Sequence, residues 1–177
     1  MVFKETRLKG AFIIELEKIV DDRGFFSRAW CQKEFEANGL NPNVVQCNLS
    51  FNTSKGTLRG MHYQIAPHEE AKIVRCIRGK VYDVIIDLRP KSPTYLQWTG
   101  VELSSENRKM LYVPENFAHG YLTLADNTEL FYQVSHFYSP ESESSIRWND
   151  RTVNIKWPQT NGLIITDKDK NWPDFPA

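Results

Sequence analysis

An all-β sandwich or barrel with a few short helices is the fold class this sequence predicts, on three observations. Its apolar runs are short and tend to alternate with polar residues, turn residues interrupt them at close intervals, and only one stretch carries a clear helical pattern. The 177 residues suffice for one domain that buries roughly two thirds of its unfolded surface.

Taken in order, residues 11–20 alternate imperfectly. Asp21-Asp22-Arg23-Gly24 breaks the run, and Phe25-Phe26 resumes it. Gln32 to Asn38 reads as a helix, anchored by Phe35 and ended by Gly39. Strands follow over 44–51 and 57–64. Ile73–Arg78 and Val81–Leu88 read as a hairpin across Gly79-Lys80, because a glycine opening a two-residue turn matches the twist of paired strands. Near-continuous β-branched residues in the second arm predict burial on both faces, until Pro90-Lys91-Ser92-Pro93 ends it. Further strands fall near 95–103, 109–113, 120–124 and 128–138. Residues 139–177, punctuated by tryptophan and proline, read as loops and short helical turns. No linker, repeat or low-complexity segment divides the chain, so residues 1–177 read as a single domain.

Lys plus Arg equals Asp plus Glu, 22 against 22. Net charge therefore favours neither a nucleic-acid nor an anionic-membrane partner, although a few local arginines suffice for an anionic small molecule. No apolar run approaches the roughly 20 residues of a membrane-spanning helix, and the first residues lack an apolar signal core. Cys31, Cys47 and Cys76 are odd in number and dispersed. They read as reduced, mostly buried thiols of a cytoplasmic protein.

The chemistry concentrates in Gly56–Gln64, where Arg59 precedes His62 by three residues between glycines. Histidine titrates near neutral pH, although a lone histidine is more often structural than catalytic. His68 lies six residues on, not at the two-residue spacing that aligns two imidazoles on one strand face, so neither metal nor cofactor is expected. Parity raises a difficulty. In a regular strand Leu58, Gly60, His62 and Gln64 share one face and Arg59 and Tyr63 the other. A shared site therefore predicts an irregularity at Gly60, where it costs least.

Tyr132 shares a strand face with Leu130, Val134, His136 and Tyr138, and reads either as a satisfied core tyrosine or as a proton donor. Lys72 is of a type that is usually solvated, yet a half-buried ammonium suits a developing enolate. By themselves Asp169 reads as a surface charge and Arg23 as a turn residue.

Ordered motifs along almost the whole chain resemble the dTDP-4-dehydrorhamnose 3,5-epimerase family. They are Asp22-Arg-Gly-Phe-Phe26, Gly56–Gln64, Lys72-Ile-Val-Arg-Cys76, Gly79–Arg89, Ser92-Pro-Thr94, Val113–Gly120, Tyr138–Glu143, Trp148-Asn-Asp150 and Ile155–Pro158. The resemblance implies a dimeric, metal-free cupin-type jelly roll that moves protons at carbons flanking a 4-keto group of a nucleotide-linked 6-deoxy sugar. It implies His62 as general base, Asp169 as its carboxylate partner, Tyr132 as opposing proton donor and Lys72 as enolate stabiliser. It further implies His119 as a sugar contact and Arg23 and Arg59 as diphosphate ligands. Gln46, Asn48, Glu143 and Lys168 match further binding positions, and Tyr138 is placed to stack on the base.

One departure stands out. Where the family commonly has a glutamate substrate contact, this chain has Ser27-Arg28. A single-centre epimerase, a keto-isomerase and a non-catalytic sugar-nucleotide-binding cupin are the alternatives. The intact set of His62, Tyr132, Lys72 and Asp169 speaks against the last, since binding alone needs no acid opposite a base.

Overall fold

The computed structural model describes residues 1–175. Six antiparallel strands form one sheet in the order β1 (Val2–Glu5), β2 (Phe12–Glu15), β10 (Met110–Val113), β7 (Lys72–Arg78), β12 (Thr128–Val134), β5 (Gln46–Asn52). The second sheet has five strands, ordered β13 (Glu143–Ser145), β6 (Leu58–Gln64), β11 (Phe117–Thr123), β8 (Lys80–Asp87), β9 (Trp98–Ser104). A separate two-stranded ribbon pairs β3 (Ile19–Asp21) with β4 (Gly24–Phe26). Two short α-helices, α1 (Gln32–Ala37) and α2 (Asp167–Lys170), and a 3₁₀ turn at Pro140–Ser142 are the other described elements. The all-β, jelly-roll expectation holds. No described helix is long and apolar enough to cross a membrane.

Three apolar layers hold the sandwich. Between the sheets, Leu8, Val74, Val81, Ile85, Leu103, Leu111 and Leu130 form a buried cluster. The outer face of the five-stranded sheet packs Leu58, Met61, Val84 and Ile86 under Ile146, Val153 and Trp157 of the C-terminal segment. On the other side, helix α1 lays Phe35 onto Ile14, Ile73, Met110 and Tyr112. Burying apolar surface on both faces of each sheet is what makes these strands near-continuously hydrophobic.

That double burial explains one correction. Residues 73–88 do not form a hairpin: β7 pairs with β10 and β12, while β8 pairs with β11 and β9 in the opposite sheet. Gly79 (φ +75°) turns the chain from one sheet into the other, and a Cβ there would lie 2.4 Å from Thr128 Oγ1. A local turn signal marks a change of direction but not the strand's partner.

Strand β12 stops at Val134, so His136 and Tyr138 do not share a strand face with Tyr132. Instead the His136 ring meets His68 edge to face, with centroids 5.0 Å apart. Strand β11 begins at Phe117, earlier than expected, and takes in His119. The thiols also differ from expectation. Cys76 is buried and burial pushes its thiol up to about 11, whereas Cys31 is half-buried and Cys47 is exposed.

The end of β8 is fastened by Asp87, whose fully buried carboxylate accepts from Arg89 Nε (2.9 Å), Ser92 Oγ (2.5 Å) and Thr94 Oγ1 (2.7 Å). Burial alone would raise its pKa, but these donors outweigh burial and hold it at about 2, below the ordinary 3.8. A depressed carboxylate pKa stabilises the fold above the unfolded value and stops doing so as pH falls through the folded one. Asp87→Asn is therefore expected to lose about 2 kcal/mol in urea unfolding at pH 7. The gap to the parent should narrow as pH falls from 4 towards 2. A constant gap would assign the loss to shape rather than charge.

Candidate active site

The site begins with a count along β6. Arg59 stands opposite Tyr121 of β11 and His62 opposite His119, so Gly60 and Met61 together face the single residue Gly120. This is a bulge, with one extra residue on one strand. It reverses the alternation and brings Arg59 and His62 to the same cavity despite their odd spacing. Gly60 adopts φ +139°, and a Cβ there would sit 2.6 Å from Gly120 Cα. Gly120 is equally confined, since its Cβ would meet Met61 Sδ at 2.6 Å and Arg59 O at 2.7 Å. The irregularity expected at Gly60 is present, and Met61 is fully buried packing.

Two connected lobes form the cleft between the sheets. The inner, of roughly 250 Å³, is lined by Arg59, His62, Lys72, His119, Tyr121 and Tyr132, with Ser50 at its side. The outer, of roughly 330 Å³, adds Gln46, Asn48, Glu70, Tyr138 and Glu143. His62, Lys72 and Tyr132 border both, at the junction. Lys72 and Tyr132 come from the six-stranded sheet and His62 from the five-stranded one. A base and a phenol thus enter the same space from opposite walls.

Asp169 reaches His62 from the far end of the chain. Thr166 caps α2 by accepting from Asp169 N (3.2 Å), and the Asp169 carboxylate lies 2.8 Å from His62 Nε2. Gly60 N donates weakly to its other oxygen at 3.4 Å. Burial would raise this acid's pKa, but His62's hydrogen bond and charge prevail and lower it. With Nε2–H given to the carboxylate, His62 Nδ1 carries the lone pair.

Burial pushes the Tyr132 phenol above its ordinary value. Tyr121 and Glu70 add to the rise and Arg59 opposes it, so the phenol is kept in its donor form. Lys72 is nearly buried and its Nζ lies 3.0 Å from Glu70 Oε1. His119 Nε2 lies 2.9 Å from Oδ1 of the fully buried Asp83. Asn52 accepts from Arg59 Nε at 3.0 Å, which orients the guanidinium.

At the mouth, Tyr138 Oη donates to Glu143 Oε2 (2.8 Å) and Lys168 Nζ to Glu143 Oε1 (2.6 Å). The lysine is the main reason that Glu143's pKa falls. Gln46 Nε2 donates to Asn48 Oδ1 at 2.9 Å on the cleft wall.

Eleven of the twelve candidate residues therefore line the cleft or back a residue that does. Arg23 does not. It lies exposed at the β3–β4 turn, paired with Asp21. Arg28 also stays outside its own chain's cleft and pairs with Glu34 at 2.6 Å. Glu70, Asp83, Ser50 and Tyr121 were missed by the sequence reading. Only Glu70 left a signal, an acidic residue two positions before Lys72. Among the described residues no group of three or more His, Cys, Asp or Glu side chains gathers in metal-binding geometry.

The family model described as dTDP-4-dehydrorhamnose 3,5-epimerase matches residues 5–177. A Shigella flexneri protein of that name is 45% identical over 172 residues, covering 97% of this chain and 94% of that protein. The crystal structure of dTDP-4-dehydrorhamnose 3,5-epimerase from Elizabethkingia anophelis superposes with a TM-score of 0.96 at 41% identity, over 99% of this chain and 96% of that one. The Legionella pneumophila enzyme, solved in complex with dTDP-4-keto-L-rhamnose, gives a TM-score of 0.89 at 34% identity, over 99% of each chain.

Because the Gly60 Cβ would strike backbone, Gly60→Ala is expected to cost at least about 3 kcal/mol and to abolish activity. Gly162 also has positive φ but open space around it, so Gly162→Ala should cost only about 1 kcal/mol. Thermal melts of the two variants check the contrast. Equal losses would show that backbone conformation, not the approach to Gly120, governs position 60.

Proposed function

The chain belongs to the dTDP-4-dehydrorhamnose 3,5-epimerase family, and on that premise we propose that it inverts C3 and C5 of a dTDP-linked 4-keto-6-deoxyglucose by side-chain acid–base chemistry. The observation that carries this reading is the confrontation of His62, backed by Asp169, with Tyr132 across a cavity that also holds Lys72.

His62 removes the proton beside the ketone. The C–H electron pair becomes the enolate C=C bond, and the carbonyl π pair moves onto O4. Lys72 stabilises the charge that appears there, more in the transition state than in the ground state. Asp169 holds the imidazole's orientation and supports the imidazolium. Tyr132 then delivers a proton to the opposite face, which inverts the carbon. The C=C pair takes that proton and the pair on O4 re-forms the ketone. Once His62 has lost its proton to water and Tyr132 has regained one from it, the same sequence at the second carbon completes the reaction.

Arg59 anchors the diphosphate and leaves the sugar at the junction of the lobes. His119 contacts the sugar, Gln46 and Asn48 bind along the wall, Tyr138 stacks on the base, and Glu143 and Lys168 complete the mouth. Residues 1–177 act as one domain. The three unpaired thiols suit a reducing cytoplasm.

A second copy of the chain accounts for Arg23. Its ribbon exposes Ile19, Val20 and Phe26, each at least 70% accessible, and edge strand β5 exposes Leu49 and Phe51. Apolar surface of this kind marks an interface. A homodimer that buries it brings Arg23 to the partner's cleft.

Incubation with dTDP-4-keto-6-deoxyglucose in deuterated water should give exchange at both C3 and C5 by NMR, and no exchange would sink the assignment. His62→Ala is expected to lower exchange by at least about a hundredfold. Tyr132→Phe should impair inversion more than initial exchange, so equal loss of both would refute the division of labour. Sedimentation velocity should show a dimer that Phe26→Asp weakens, with KM rising in step. A fully active monomer would remove both the dimer and Arg23's role.

A further inference from the structure

Each carboxylate that approaches the cleft has a partner: Asp169 has His62, Asp83 has His119, and Glu143 has Lys168 and Tyr138. Glu70, the partner of Lys72, has no part in the scheme so far. We propose that Glu70 is a positioning residue for the epimerisation, holding the Lys72 ammonium where the enolate oxygen develops. The inference rests on the acid–base reading above.

Three observations support it. Glu70 lines the outer lobe beside Lys72 and Tyr132, so its carboxylate faces the reacting space rather than solvent. The two side chains are only 12% and 10% accessible, with 3.0 Å between Glu70 Oε1 and Lys72 Nζ. The backbone between them is fixed as well: Ala71 N donates to Ser135 Oγ (2.8 Å) and Ser135 N to Ala71 O (3.0 Å). Glu70 therefore sits just before the sheet, joined to Lys72 through a residue that is tied down on both its N–H and its C=O.

The physical need is plain. A lysine ammonium sits on a flexible four-carbon stem, and a nearly buried one has little water to stabilise its charge. One fixed carboxylate addresses both difficulties. It supplies the counter-charge and selects the rotamer that points into the junction. Since an ammonium carries three N–H donors, a carboxylate on one side leaves donors for the substrate oxygen.

The test is a double-mutant cycle on C5 exchange, with kcat and KM read separately. Glu70→Gln is expected to lower kcat about tenfold with KM little changed, and Glu70→Asp to recover part of the loss. Lys72→Met should lose more, and the Glu70→Gln/Lys72→Met double variant should match Lys72→Met alone. Multiplying effects would show Glu70 acting on the substrate directly, and an unaltered kcat in Glu70→Gln would show a bystander ion pair. Either result overturns the proposal.

A substrate-free arm separates this inference from the assignment of function. Trace labelling with acetic anhydride, read by peptide mass mapping, should modify Lys72 several-fold faster in Glu70→Gln than in the parent, because the carboxylate no longer holds the amine. Unchanged labelling overturns the proposal even if epimerisation is confirmed. Faster labelling supports the pair's coupling even if no keto sugar exchanges. If Glu70→Gln does not fold, Glu70→Asp carries the same comparisons.

Discussion

The backbone of β6 sets two residues, Gly60 and Met61, against one residue of β11, and the composition of the cleft follows from that count. Without the extra residue, Arg59 and His62 would face opposite sides of the sheet, one towards the cavity and the other into the layer beneath the C-terminal segment. The bulge is held from several directions. Gly60 and Gly120 pass too closely for any Cβ, Met61 exchanges backbone hydrogen bonds with Ile146, and Ser145 Oγ donates to Met61 O at 2.7 Å. Ser145 and Ile146 therefore act as a brace for the base, although they contribute no group to the reaction themselves.

A second constraint is electrostatic. Removing charged groups from water is costly unless each finds a partner. The cleft meets this condition by pairing its two imidazoles with carboxylates from distant parts of the chain and Lys72 with a carboxylate two residues away. The pairs also have directional consequences. Asp169 fixes which His62 nitrogen faces the cavity, and Asn52 does the comparable service for Arg59 with a neutral oxygen. The buried pairs contrast with the mouth, where Tyr138, Glu143 and Lys168 join through exposed hydrogen bonds. A fixed reacting end and a more open nucleotide end suit a reaction whose chemistry lies wholly in the sugar ring.

Much of this was legible in the chain. Alternation and turn residues located most strands to within a few residues, the helix around Phe35 stood where its pattern placed it, and the parity conflict in Gly56–Gln64 pointed to Gly60. Other features were not. Strands β1 and β13 are short, and their pairing depends on neighbours rather than on their own pattern. The 73–88 segment carried a sound hairpin signal yet spans two sheets, since both arms are interior strands and either sheet satisfies their hydrophobicity. Asp83 lies inside an apolar run and showed nothing of its role until His119 was brought beside it.

By itself, the sequence determined the class of fold, the need for a break at Gly60 and, through its ordered motifs, the family. These are properties of local pattern, since turn chemistry and side-chain alternation act over a few residues. Tertiary structure alone decided that Asp169 meets His62 across 107 residues of chain, that Tyr132 faces His62 from the opposite wall, that Lys72 is held by Glu70, and that Arg23 lies outside its own cleft. The reason is physical. Which distant segments meet is settled by which apolar faces can be buried together and which charges can be paired there, and neither is a property of any one segment.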